Sequence, residues 1–223
     1  MMRRTLLLAL GGLFAAGTAA AAPIGAPAEC PRDLLFEGRI ELLRAARVVA
    51  PGKVHFRDDG AGGPCEGPRC RGKAYVVNGD AVISGRRRGP WVCVIYPNSR
   101  GGTEGWIRLD EIVAVAETRA TPSMWIGSWV RDPYTELTIE RAGPKLSVKG
   151  LALWFGARPD IVHDGMVDAA GAPVGDTLRT DDVSYPDADH CQPILRRLGP
   201  YLAAFDNNRC GGLNVTFTGV YRR

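Results

Sequence analysis

The stretch Asp206-Asn-Asn-Arg-Cys-Gly-Gly-Leu-Asn-Val-Thr-Phe-Thr-Gly-Val-Tyr-Arg222 decides how this chain reads. A polar turn with two glycines runs into an alternating segment. Val215, Phe217, Gly219 and Tyr221 fall on one face; Thr216, Thr218, Val220 and Arg222 fall on the other. Such a segment is the expected closing strand of an antiparallel sheet or barrel. Working backward, short apolar runs separated by turn residues recur: 124–131, 135–140, 145–149, 151–155, 163–168, 176–178, 194–198, 201–205 and 213–221. That number suits an up-and-down barrel of seven or eight strands. The expected fold class is all-β throughout, with residues 116–123, which lack any large apolar side chain, as a linker.

Upstream of the linker the strands are again short. Residues 53–57, 74–77, 81–84, 91–96, 103–109 and 112–115 are strand candidates. The turns between them are Asn78-Gly79-Asp80, where Asn-Gly accepts positive φ, and Gly85-Arg-Arg-Arg-Gly-Pro90. Residues 32–50 carry Leu34, Leu35, Ile40, Leu42, Leu43, Val48 and Val49 and read as a short helix followed by a strand. Short strands at this spacing predict a small barrel, so the expected organisation is a small-barrel domain over 32–115, the linker, and a second barrel domain over 124–223.

The chain opens on an export signal, residues 1–20. Arg3 and Arg4 precede an apolar run over 5–14 and the small-residue zone from Gly17 to Ala22. The run is shorter than the roughly 20 apolar residues that span a bilayer, and no later stretch is longer, so no integral membrane segment is expected after cleavage. The implied location is periplasmic or extracellular. Without Arg3 and Arg4 the formal charge falls from +4 to +2. Residues 21–119 are net +3 and 120–223 net −1. Neither half carries the field that nucleic-acid binding requires, so nucleic acid is not an expected partner.

All six cysteines follow the signal. An even number in an oxidising compartment predicts disulfides, and six allow 15 pairings. Cys65 and Cys70 share one Gly/Pro-rich loop. Cys191 and Cys210 flank one hairpin-like unit. Cys30 and Cys93 remain by elimination.

Residues 48–115 resemble a bacterial SH3-like domain. The likeness rests on Phe56-Arg57, Tyr75-Val-Val-Asn-Gly-Asp80, Trp91-Val-Cys-Val-Ile-Tyr96 and, most specifically, Thr103-Glu-Gly-Trp-Ile-Arg108. The insertion with Cys65 and Cys70 departs from the simplest pattern of that family. The resemblance implies a non-catalytic binding module for a peptide, a peptidoglycan fragment or an envelope protein, with Tyr75, Trp91, Tyr96 and Trp106 as groove candidates. The alternative is that these rings are core, which is the first reading for Trp91 and Trp106, while Tyr96 suits either role. Residues 124–223 resemble the calycin/lipocalin plan. Ile126-Gly127-Ser128-Trp129 matches its Gly-x-Trp start, and Arg222 stands where an arginine packs over that tryptophan to close the barrel. The contact would be worth about 0.5–2 kcal/mol. The whole layout resembles a family of bacterial envelope proteins, which implies a compartment and no activity.

Other chemistries are weaker. Arg86-Arg87-Arg88 suits an anionic polymer, but in a turn it reads first as a solvated tip. A Cys/His enzyme needs a free thiol near His55, His163 or His190, and the even cysteine count speaks against one. Cys65, Cys70 and His55 lack a second ligand pair for zinc. Asp164, Asp168, Asp176, Asp181, Asp182, Asp187 and Asp189 cluster in turn-like segments; a glycosidase needs two facing carboxylates. No catalytic residue, metal or cofactor is expected. Leu137, Ile139, Leu146, Val148, Leu153, Phe155, Leu202 and Val215 would either fill the second barrel or line a ligand cavity. A small-ligand carrier, or an inhibitor of an enzyme such as lysozyme using this barrel, is therefore the alternative function, with a hydrolase third.

Overall fold

The computed structural model describes residues 30, 35, 38–60, 63–65, 67–117, 119–158, 160–182 and 190–223. The expected signal at 1–20 lies outside them, as do residues 183–189 with Asp187 and Asp189. The chain is all-β and antiparallel, held by three disulfides. No helix among the described residues is long and apolar enough to cross a membrane.

The N-terminal sheet contains β1 (Arg44–Val48), β2 (Lys53–Arg57), β5 (Arg71–Val77), β6 (Ala81–Arg88), β7 (Trp91–Tyr96), β8 (Thr103–Arg108) and β9 (Ile112–Ala114). A small hairpin, β3 (Asp59–Gly60) and β4 (Gly63–Pro64), stands apart. The strand order is β5-β2-β8-β7-β6-β1-β9. The sheet is therefore open, in contrast to the expected small barrel. Its weak point is the junction of β2 with β8, joined by the single pair Arg57–Trp106 beside an irregular register in β2. The Arg86–Arg88 run lies in β6, and the turn comes after it at Gly89 and Pro90.

One face of this sheet is an ordinary apolar core. Val54, Phe56, Val76, Val82, Val92, Val94 and Ile107 pack there. The opposite face is covered too, at one end. Cys93 is bonded to Cys30, and both pack on Trp106. Ile95 packs with Leu35, Ile40 and Leu43. Strand β7 is consequently buried on both sides, and simple alternation breaks down along it.

The C-terminal half has two five-stranded sheets. The first orders β10 (Gly127–Asp132), β11 (Thr135–Ala142), β12 (Lys145–Phe155), β13 (Val162–Gly171) and β16 (Asp181–Asp182). The second orders β14 (Pro173–Val174), β15 (Thr177–Arg179), β17 (Ile194–Leu198), β18 (Tyr201–Phe205) and β19 (Gly219–Tyr221). Neither closes on itself, so the closed barrel expected here is also corrected. The sheets meet at two seams. Val130 and Arg222 exchange two backbone hydrogen bonds, 2.8 and 3.0 Å, across β10 and β19. On the other side, residues 177–182 pair with β17 through their first half and with β13 through their second. Trp129, Leu137, Ile139, Val148, Leu195, Leu202, Phe217 and Tyr221 fill the space between the sheets.

Several local expectations change. Residues 145–155 form one strand through Gly150, not two. Even positions such as Leu146, Val148 and Ala152 point inward, and odd ones turn outward, so Phe155 is exposed and Leu153 half-buried rather than interior. Gly150 allows this passage because a Cβ there would lie 2.6 Å from Leu137 and 2.8 Å from Phe217. The unit begins with a helical turn, Pro122–Trp125, before β10. The closing segment is strand only over Gly219–Tyr221. Before it, the fully buried Asp206 takes the place of a neighbouring strand. Its carboxylate accepts from Thr216 Oγ1 (3.0 Å), the Phe217 N–H and the Asn208 N–H (3.0 Å). Phe217 and Tyr221 still share the core face, with Val215 packed against it, as the alternation requires.

The two halves share a core. Leu35, Ile40, Leu43, Ala45, Ile83 and Ile95 pack against Leu198, Ala203 and Val220. Arg196 locks the junction. Its Nη1 donates to the carbonyls of Ile40 (3.1 Å), Glu41 (2.7 Å) and Leu43 (2.9 Å). Its Nε reaches Asp176 (2.8 Å) and its Nη2 reaches Glu117 (2.8 Å). The stretch expected as a linker is thus anchored by Glu117 and by Ala120, which packs on the C-terminal core.

Buried tyrosines make the fold sensitive to alkali. Burial pushes the Tyr221 hydroxyl well above its ordinary range, partly offset by Arg131; that hydroxyl donates to the Phe217 carbonyl at 2.6 Å. Tyr201 is raised by burial, then by Tyr96 and Asp80. A raised folded-state pKa keeps a proton that the unfolded chain releases above about pH 10, so the stabilisation is intact below that pH and lost above it. Arg197 opposes this, because burial and then Arg223 lower it to about 10, and the unfolded chain then binds the extra proton. Two hydroxyls, one fully buried, outweigh one guanidinium. Denaturant unfolding should show stability falling from about pH 10 upward, and Tyr221→Phe should make that fall shallower.

Candidate functional site

The open end of the outer β7–β8–β2 face holds the candidate site. Lys53, His55 and Arg57 alternate along β2 and so face the same way. His55 pairs with Tyr75 and Arg57 with Arg71 on β5. Trp91 pairs with Arg108 on one side and Arg88 on the other. Lys53, His55, Arg57, Arg71, Trp91, Arg108 and Glu111 line an open groove of about 450 Å³.

The rings in this groove are dressed with cations. The Arg57 and Arg108 guanidinium carbons lie 5.0 and 5.4 Å from the Trp91 ring centre. Lys53 Nζ lies 4.3 Å from the Tyr75 ring, which sits 5.6 Å from His55. His55 Nδ1 is fixed 3.0 Å from the Gly72 carbonyl oxygen. Arg57 donates to the Gly67 carbonyl at 3.0 Å, tying it to the loop that Cys65–Cys70 closes. Glu111 caps the Arg108 N–H, which turns its carboxylate to the backbone.

Of the four expected groove rings, half-buried Trp91 lines this groove, and Tyr75, 44% exposed, stands beside it against Lys53 and His55. Trp106 is elsewhere: it is fully buried beneath Cys30, and its Nε1–H donates to Asp59. Tyr96 packs half-buried on the inner core. Lys53, His55, Arg57, Arg71 and Arg108 were not among the expected site residues. The available signal was the period-two pattern Lys53-x-His55-x-Arg57 beside Arg71-x-Lys73-x-Tyr75.

The arginine expected over Trp129 is not Arg222. Arg197 and Arg223 lie 4.5 and 4.7 Å from the Trp129 ring centre, and Arg223 also donates to the Met124 and Ile126 carbonyls. Arg222 supplies the backbone seam to Val130, which fixes its side chain one position out of phase.

Among the described residues, the groups named for other chemistries are placed as follows. All six cysteines are in the disulfides Cys30–Cys93, Cys65–Cys70 and Cys191–Cys210. Asp176 is engaged by Arg196, and Asp164 and Asp168 project outward from β13. No group of three or more His, Cys, Asp or Glu suited to a metal occurs among the described residues. A second crevice of about 240 Å³ lies between the halves at Arg100, Arg131 and Thr216. There Arg131 is already committed to the Thr216 and Thr218 carbonyls, Thr135 and Asp132. No family model, no curated protein and no solved structure matches this chain.

Proposed function

We propose that this is an exported, non-catalytic binding protein of the bacterial periplasm or cell envelope. It recognises a peptide, a cell-wall fragment or an envelope protein through the groove at Trp91 and Tyr75. The SH3-like relationship of residues 48–115 and the calycin-like relationship of 124–223 belong to this reading, both in open-sheet form. The observation that carries it is the uncovered end of the outer face. An exposed tyrosine and a half-exposed tryptophan stand beside a groove on a face whose other end is covered by Cys30, Leu35, Ile40 and Leu43. Three disulfides agree with an oxidising compartment. The C-terminal interior is filled by its own side chains, which favours recognition on the surface over carriage inside.

The test is retention on purified cell-wall sacculi. Trp91→Ala and Tyr75→Ala should each weaken retention by about tenfold or more, as central aromatic contacts do. Trp106 is unsuited to this test because its loss would damage the core. Failure of the wild-type protein to be retained by sacculi or by any envelope extract would overturn the proposal.

A further inference from the structure

The groove is one part of a longer row. Following register partners across five adjacent strands, the same face presents Arg71 on β5, Arg57 on β2, Arg108 on β8, Trp91 on β7 and Arg88 on β6. The step from β2 to β8 passes through the pair Arg57–Trp106, two residues from Arg108 on the same face. Neighbouring strands stand about 4.8 Å apart, so the row runs for roughly 20 Å.

This arrangement carries an electrostatic cost. Like charges placed directly opposite on a sheet repel, and Arg57 faces Arg71 in register. Among the described residues, no carboxylate lies within 4.0 Å of the side-chain nitrogens of Arg57, Arg71 or Arg88. Among the described residues, the one carboxylate within 4.0 Å of the Arg108 side-chain nitrogens is that of the exposed Asp110, at 3.5 Å. Elsewhere the molecule neutralises its arginines with care, as at Arg196 and Arg131. Trp91 then takes on a second role. Its ring orients the guanidinium groups of Arg57 and Arg108 from the face; Arg57 spends one nitrogen on the Gly67 carbonyl and Arg108 one on Asp110, and the preoriented remainder suits oxyanions.

We infer that the Arg71–Arg57–Arg108–Trp91–Arg88 row binds a linear polyanion, a chain bearing carboxylate or phosphate groups on successive units. The inference rests on the proposed role of the groove and assigns its ligand a chemical class. A row of separate cations across a sheet matches repeated charge along an extended chain better than one compact anion. Such binding releases counterions, so affinity falls as salt rises.

The experiment uses the full mature chain with linear polyphosphate, polygalacturonate, neutral dextran and inorganic phosphate as probes. Expected are binding to at least one of the two polymers, a steep fall with added salt, and at least tenfold weaker binding to inorganic phosphate and dextran. The arm that binds tells phosphate from carboxylate. R57Q/R71Q/R108Q should reduce binding at least tenfold with unchanged unfolding midpoint, and R141Q/K145Q on the opposite half should leave it unchanged. No salt-dependent binding, equal loss in both variants, or inorganic phosphate binding as tightly as polymer would overturn the inference. If the arginine variant stays on sacculi while Trp91→Ala is lost, the polyanion assignment fails and the groove stands. If wild type is retained on nothing, both fail.

Discussion

Arg196→Met is expected to lower the stability of the whole molecule by about 3–5 kcal/mol, the cost of removing one partner from a buried ionic cluster. The side chain is almost fully buried and makes five hydrogen bonds, to three carbonyls and two carboxylates. Methionine fills similar volume but leaves the Ile40 and Leu43 carbonyls without that donor in an apolar junction. Lysine at this position should recover only part of the loss. It carries the charge as a point and cannot fork toward Asp176, Glu117 and the 40–43 carbonyls together. Denaturant midpoints measure the effect, with the exposed Arg47→Met as a control expected within about 0.5 kcal/mol. A change below 1 kcal/mol would show that the junction does not depend on this guanidinium.

Removing the Cys30–Cys93 bridge as C30A/C93A is the second large effect. The bond spans 63 residues, and the chain-entropy relation gives about 4 kcal/mol for a loop of that size. The bridge also holds Cys30 over Trp106 and places the Cys30 N–H against Asp59, which itself accepts from Trp106. The same relation gives roughly 3 kcal/mol for Cys191–Cys210 at a separation of 19 and about 2 kcal/mol for Cys65–Cys70 at 5. Paired-alanine variants should therefore unfold in that order of severity, and C30A/C93A should also expose Trp106 to acrylamide quenching. The reverse order would separate stability from loop size.

The readable parts of the sequence were those whose partners lie close along the chain. Residues 194–198 and 201–205 form strands at the expected bounds, because Gly199 and Pro200 make the turn and both flanks are apolar. Apart from the Cys30–Cys93 bridge, left by elimination, long-range pairings escaped. Nothing near Trp106 reveals that Cys30 covers it, and nothing near Thr216 reveals that Asp206 will bind its hydroxyl. Alternation identified the inward faces of Phe217 and Tyr221 correctly even where no regular strand forms. It misled at Gly150, where a continuous strand was divided and Phe155 was turned inward. The cationic groove was written plainly in the spacing of Lys53, His55 and Arg57. Aromatic residues are the more conspicuous groove signal, but in this sheet they serve mainly as supports for charge.

The seam between Val130 and Arg222 governs how the molecule can come into being. Arg223 reaches back to Met124, 99 positions earlier, and Arg196 reaches Ile40 across 156. Contacts that distant make assembly slow, since long loops must close before any stabilisation returns. During synthesis the apolar side of the sheet begun by β10 waits without its cover. A nascent chain of this kind depends on being kept from its neighbours until its last strand arrives.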